Sequence, residues 1–208
     1  NTPMNYIAID FSITSTAICV QNHQELKWFN FVSNLDLNKK AFSCHKELVE
    51  LGINIIGYDR NKPKDIEYTD EQVFKLNNSN YLSYTIINTL APYINEDTNW
   101  AIEGYSYGSK GNSFIDLITY NTMLKAKIMR VAKNDIQVYA PKTVKKSFTG
   151  NGNANKPMMV EAFKSREDLV NDPLKQYVNS QSFGDNIPKP IDDLVDAFAI
   201  LEFLKDSI

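Results

Sequence analysis

Two short apolar runs in this chain each end on a carboxylate, and no other feature constrains its fold as tightly. Tyr6-Ile7-Ala8-Ile9-Asp10 leads into a polar turn, Ser12-Ile13-Thr14-Ser15-Thr16, and then a second apolar run, Ala17-Ile18-Cys19-Val20. That order reads as buried strand, tight turn and returning strand. Trp100-Ala101-Ile102-Glu103 repeats the pattern, with Gly104 behind it. An acid at the C-terminal end of a buried strand stands at the mouth of an α/β sheet. An ionised carboxylate inside a sheet costs roughly several kcal/mol unless something pairs with it. The plainer reading of Asp10 is a cap on the Ser/Thr turn. The choice depends on whether other acids converge on it.

The length of 208 residues suits one domain, expected over 4–208, with room for a sizeable core. Asn1-Thr2-Pro3 precede Met4 and are set aside as a remnant of expression. A net charge of −3 gives no global basic field, so nucleic-acid binding would need a local patch. Cys19 and Cys44 are the only cysteines, and Cys19 falls in a buried strand. Reduced thiols in a cytoplasmic setting are expected, in a bacterium or inside a virus-infected cell, with no Cys/His cluster for zinc. No signal peptide, membrane span or repeat is visible.

Along the chain, Leu26 to Val32 reads as a third strand after a turn at Asn22-His23-Gln24, which makes an antiparallel meander. Residues 34–68 are harder to read: a short helix over Lys40 to Leu51, then a strand or an extension of the sheet over Ile53 to Tyr58. Cys44 and His45, in this region, are expected to be structural or surface residues. Thr69-Asp70-Glu71-Gln72 predicts a capping box with Thr69 as N-cap. The helix behind it runs toward Tyr93, with Val73, Leu76, Leu82, Ile86, Ile87 and Leu90 as its apolar face. Asn112 or Ser113 caps the next helix, whose stripe is Phe114, Leu117, Ile118, Leu124, Ile128 and Val131. Ile136 to Tyr139 is a strand, and Pro141 opens a helix carrying Lys142, Lys145 and Lys146. Another helix starts near Met158. Residues 165–190 are polar and broken by Pro and Gly.

The last helix starts after Pro190, with Leu194, Ala197, Phe198, Leu201 and Leu204 as its stripe. Asp193 and Asp196 are three apart and Asp192 and Asp196 four apart, so either pair shares a face. Asp192 and Asp193 also suit the positive end of the helix dipole. Asp196, beside the apolar stripe, suits it less well. Acids on the first strand, the later strand and the last helix, without a histidine partner, fit oxygen-liganded Mg²⁺ or Mn²⁺. Two such ions about 3.5–4 Å apart can activate water and stabilise the leaving oxygen in phosphodiester hydrolysis.

With these residues in place, the sequence resembles the RuvC-type Holliday junction resolvases of the RNase H-like superfamily. Three blocks carry the likeness: Ile7-Ala8-Ile9-Asp10 with its hairpin, Ala101-Ile102-Glu103, and the C-terminal stretch. In that stretch Val144-Lys145 is followed by Gly150, Gly152, Ala154 and Lys156, and then by Asp193-Leu194-Val195-Asp196-Ala197-Phe198-Ala199-Ile200. The resemblance implies an α/β fold with a mixed central sheet, an antiparallel meander plus parallel strands, flanked by helices. It implies Asp10, Glu103, Asp193 and Asp196 as catalytic metal ligands, with two Mg²⁺ or Mn²⁺ ions per site. It also implies that Lys142, Lys145 and Lys156 contact DNA phosphates or support the catalytic centre, with Lys145 or Lys156 placing charge near the scissile phosphate. Lys146 belongs to the same DNA-facing side. The plain alternative for these lysines is a solvated helix face.

Two departures stand out. Phe11-Ser12 replaces the family's Pro-Gly after the first Asp, and Ser106 stands where an aromatic wedge is usual. Tyr105 and Tyr107 flank it, and either can stack on an unpaired base. Residues 34–68 exceed what the resemblance covers and read as an insertion. The expectation is a homodimeric, metal-dependent endonuclease that resolves four-way DNA junctions in recombination and repair. Its dimer contact is expected on the helix around Phe114 to Val131, which carries Tyr120, Met123 and Met129 beyond its stripe. Alternatives are a nuclease of the same fold acting on another branched or viral-packaging DNA, and a catalytically silent DNA-binding scaffold. A scaffold gains nothing from four repelling acids. A sugar kinase or actin-like ATPase needs two such domains, which this length cannot hold.

Overall fold

The computed structural model describes residues 4–106 and 110–208. Asn1-Thr2-Pro3 and Tyr107 therefore lie outside the described residues. The strands are β1 (Asn5–Asp10), β2 (Ser15–Asn22), β3 (Glu25–Ser33), β4 (Asn54–Tyr58), β5 (Thr98–Glu103) and β6 (Gln137–Tyr139). They form one sheet in the order β4-β3-β2-β1-β5-β6. β1, β2 and β3 pair antiparallel, while β3–β4, β1–β5 and β5–β6 pair parallel. This is the expected meander extended by parallel strands. The helices are α1 (Ser43–Glu50), α2 (Tyr68–Leu90), α3 (Asn112–Val131), α4 (Pro141–Thr149), α5 (Lys156–Lys164), α6 (Pro173–Ser180) and α7 (Ile191–Ser207).

Strand alternation sorts side chains onto two faces. Ala8, Ala17, Cys19 and Ala101 point to one face, where α7 packs with Leu194, Phe198 and Leu201. Ile7, Ile9, Ile18, Val20, Trp100 and Ile102 point to the other, against Leu82 and Ile86 of α2 and Leu124 and Ile128 of α3. Small residues under α7 let that helix lie close to the sheet, and large ones fill the space beneath α2 and α3.

Residues 34–68 are built into this architecture. A 3₁₀ turn (Lys40–Phe42) and α1 lead into β4, which pairs from Asn54 beside Phe29 to Tyr58 beside Ser33 at the sheet edge. The Asn54 side-chain amide donates to the Trp28 carbonyl at 3.0 Å. His45 is buried and packs edge-on against Phe42, in keeping with a structural role.

Several local expectations are corrected. α2 starts at Tyr68 with Glu67 as N-cap and no side-chain cap, so Thr69 sits inside the first turn and forms no capping box. Val73 and Leu76 are exposed, because the core side of α2 starts only at Asn78 and Ser79. α3 is preceded by Gly111 in a positive-φ conformation, not capped by Asn112 or Ser113. Tyr120 is buried, with its hydroxyl donating to Asn78 Oδ1 at 2.8 Å, so it adds nothing to the outer surface of α3. The 165–190 stretch contains α6, whose N-cap Asp172 accepts from the Lys175 amide.

Candidate active site

The parity that seats α7 also aims the polar residues. Asp10 is two residues beyond Ala8, and Glu103 two beyond Ala101, so both carboxylates point to the α7 face. β1 and β5 pair in parallel through Ile9–Ile102, which sets Asp10 and Glu103 side by side one step further on. On β2 and β3, Ser15 and Asn30 share the face of Ala17 and Trp28. α7 then brings in Asp193 and Asp196 from above.

The turn after β1 is closed by Ser12, not by the first acid: Ser12 Oγ accepts from the Ser15 amide at 3.0 Å, and the Ser12 carbonyl accepts from the Thr16 hydroxyl. Asp10 is left to the acidic centre. Burial pushes its carboxyl well above the ordinary range, and the charges of Asp196, Asp193 and Glu103 push it further, while Lys189 pulls it back. Burial raises Asp196 to about 7, with Glu103 adding to the rise and Lys145 opposing it. Burial raises Glu103 to about 6 against the pull of Lys145. Asp193 is raised by burial and by Asp192, and lowered by Lys189 and Ser15. Burial works against the ionisation of all four, and acidic neighbours add to it at Asp10, Asp193 and Asp196.

Asp192 plays a different part. Its buried carboxylate pairs with Lys156, and with Lys189 at 3.2 Å. Its Oδ1 is buried without a hydrogen-bond partner. The structure thus gathers Asp193 and Asp196 with Asp10 and Glu103, and turns Asp192 toward the lysines.

Each part of the Val144-to-Lys156 segment has a physical reason. Val144 is buried beneath α4. Gly150 takes the left-handed conformation (φ 81°) that ends α4. A side chain at Gly152 would put its Cβ 3.1 Å from the Lys142 carbonyl, so any other residue there would push the folded-back loop away by a few tenths of an ångström. Ala154 is buried, and Asn155 caps α5 by accepting from the Met158 amide. Lys156 follows at the first turn of α5 and reaches Asp192. The lysines of α4 divide: Lys145 faces Glu103 and Asp196, while Lys142 and Lys146 line a groove with Gly152, Asn153 and Phe203. Tyr105 packs edge-on against Phe114, centroids 5.5 Å apart, with the Lys125 ammonium 5.0 Å from its ring centroid.

Three contributors escaped the sequence reading. Ser15 donates to Asp193 Oδ2 at 2.7 Å, Asn30 donates to Ser15 Oγ at 3.0 Å, and Lys189 pairs with Asp193 Oδ1. Asn30 had a visible signal, a lone amide inside the aromatic run Trp28-Phe29-Asn30-Phe31. Lys189 also had one, four residues ahead of Asp193 and three ahead of Asp192.

The donor set suits a hard divalent cation: it is all oxygen, and its mutual repulsion is what such a cation relieves. Among the described residues, no three His, Cys, Asp or Glu side chains are gathered closely enough around one point to hold an ion as they stand. Mg²⁺ is commonly held by one or two carboxylates, with water filling its other positions. Here Asp10, Glu103, Asp193 and Asp196 are the residues that would hold it.

No protein-family model matches the chain, and no curated protein sequence does. Solved structures do. Thermus thermophilus RuvC in complex with Holliday junction substrate aligns with a TM-score of 0.51 at 13% identity, covering 96% of this chain and 91% of that one. A second Thermus thermophilus RuvC structure aligns at 0.49 and 14% identity, covering 95% and 91%. The yeast mitochondrial Holliday junction resolvase aligns at 0.49 and 16% identity, covering 98% and 84%. At such low identity the first alignment speaks to fold alone: this chain has the mixed-sheet, RNase H-like fold of RuvC.

Proposed function

We propose that this chain is a divalent-cation-dependent endonuclease that resolves four-way DNA junctions. One observation carries the reading: four carboxylates from β1, β5 and α7 are gathered toward the C-terminal ends of two parallel strands, where burial resists the ionisation of each and the charges of the other three resist that of Asp10 further. Folding tolerates that arrangement at a cost in stability, and a site for cations and phosphate gives the cost a purpose. Bound Mg²⁺ or Mn²⁺ supplies activation of water and neutralisation of the leaving oxygen. Lys145, beside Glu103 and Asp196, adds charge toward a phosphate oxygen. Lys142, Lys146 and Lys156 hold backbone phosphates and set the DNA register. Tyr105 is the aromatic side chain after Glu103 that could stack on an unpaired base.

The junction as substrate is supported by the fold shared with Thermus thermophilus RuvC, whose structure includes a Holliday junction. A junction has two equivalent strands to cut, so paired nicking needs two chains. The outer faces of α2 and α3 expose Leu76, Tyr84, Ile115 and Met129, apolar surface suited to a two-fold contact. The test joins light scattering to cleavage of a panel of junction, flap, fork and linear DNA in Mg²⁺, Mn²⁺, Ca²⁺ and chelator. Paired nicks in junctions by a dimer, in Mg²⁺ or Mn²⁺ only, are expected. Equal cutting of linear duplex removes the junction assignment, and full activity in chelator removes the metal chemistry.

A further inference from the structure

We propose that Lys189 is a tethered counter-ion of the acidic centre, which a divalent cation displaces from Asp193 on binding. The inference rests on the metal-dependent reading above and concerns what the cation must compete with. Asp193 has two oxygens, and the structure engages them differently. Oδ2 accepts from Ser15 Oγ at 2.7 Å, and Ser15 Oγ accepts from Asn30 at 3.0 Å. Ser15 and Asn30 are both buried, and Asn30 Oδ1 already lacks a partner. Breaking that chain would leave more buried polar groups unsatisfied, so Oδ2 stays fixed. Oδ1 is the oxygen left for a cation, and the Lys189 ammonium sits on it.

The two partners differ in freedom. The Asp193 side chain is 9% exposed and that of Lys189 is 51% exposed. The lysine arm can swing its ammonium into water at little solvation cost, whereas the carboxylate cannot leave. Asp192 keeps a cation after the exchange, because Lys156 also pairs with it. Lys189 therefore steadies the fold when no ion is bound, and lowers the affinity of the ion that replaces it.

The experiment is Mn²⁺ titration calorimetry on the metal-free protein, alongside thermal unfolding with and without Mn²⁺, for wild type, Lys189→Met, Lys189→Gln and Lys189→Arg. The neutral variants should bind Mn²⁺ about tenfold more tightly, because a half-exposed competing charge is gone. Their metal-free forms should melt below wild type and gain more from Mn²⁺. Lys189→Arg should stay near wild type. A neutral variant that folds only with Mn²⁺ present is the same result in extreme form. Unchanged or weaker Mn²⁺ binding by neutral variants that bind the ion overturns the counter-ion role and leaves the metal reading standing. No Mn²⁺ binding by any of the four proteins overturns both.

Discussion

The two faces of the sheet are built by opposite rules from the same strands. Beneath α2 and α3 the strands present Ile7, Ile9, Ile18, Val20, Trp100 and Ile102, all apolar. Beneath α7 they present Ala8, Ala17, Cys19 and Ala101, then Asp10, Glu103, Ser15 and Asn30 toward one end. The first face is an ordinary close-packed core in which each buried methylene contributes about 0.8 kcal/mol. The second holds a helix close and collects charge where the apolar contact stops. Both faces therefore bury a large apolar core, but only the α7 face also collects the acids, although the residues responsible alternate along single strands.

That division can be broken by neighbours on one strand. Asp10→Asn removes a proposed metal ligand and one of four repelling charges. It should lower junction cleavage on the order of a thousandfold, about 4 kcal/mol in the barrier, while the metal-free protein unfolds at a higher temperature. Ile9→Ala, one residue away on the other face, should lose roughly 2–5 kcal/mol of stability while its folded fraction keeps near wild-type activity. Single-turnover cleavage and denaturant titration on both variants separate the two effects. An Asp10→Asn protein that is less stable, or one that still cuts, would undo the comparison.

A finer test asks whether small residues set the height of α7. Ala17→Leu inserts bulk beneath the helix and should cost about 1–3 kcal/mol. It should also lower activity, because α7 carries Asp193 and Asp196. Ile18→Leu, facing α2 and α3, conserves volume and should cost less than about 1.5 kcal/mol without touching activity. Equal effects from the two would mean that the spacing of α7 does not position the acids.

These pairs also show what was legible in the sequence. Apolar runs ending on Asp10 and Glu103 were readable because strand period and burial leave a plain pattern. The four-acid grouping was readable only with the register of α7, since spacing alone left Asp192 and Asp193 equivalent. What separates them is tertiary: Lys156 pairs with Asp192, Ser15 fixes Asp193 from the strand below, and Lys189 bridges the two. Such contacts link residues far apart in sequence and leave no periodic signal. The capping box at Thr69 failed for a related reason. A Thr-x-x-Gln pattern permits a cap, but the chain is already helical one residue earlier, at Tyr68. β4 was readable as a strand or an extension of the sheet, but its parallel pairing with β3 was not, because that is a matter of topology.

The smallest effect concerns pH, and it isolates the charged face from the apolar one. Asp196 is held at about 7 and Glu103 at about 6, above ordinary values of 3.8 and 4.5. At these two groups the folded state therefore binds more protons than the unfolded chain between roughly pH 4 and 7, so their contribution to stability falls as pH rises through that window. His45 pushes the other way below its ordinary 6.5, because burial lowers its pKa and the folded state keeps it neutral. The difference between wild type and Asp196→Asn cancels that contribution. In chelator, the variant should gain on wild type by on the order of 1 kcal/mol from pH 5 to pH 8, as the wild-type carboxyl is forced to ionise. Saturating Mg²⁺ should reduce the gain, since a cation stabilises the ionised acids that only the wild type has in full. Urea titrations at four or five pH values, with and without Mg²⁺, measure it. A difference that stays flat with pH in chelator would mean that Asp196 ionises freely and that the α7 face carries no stored repulsion.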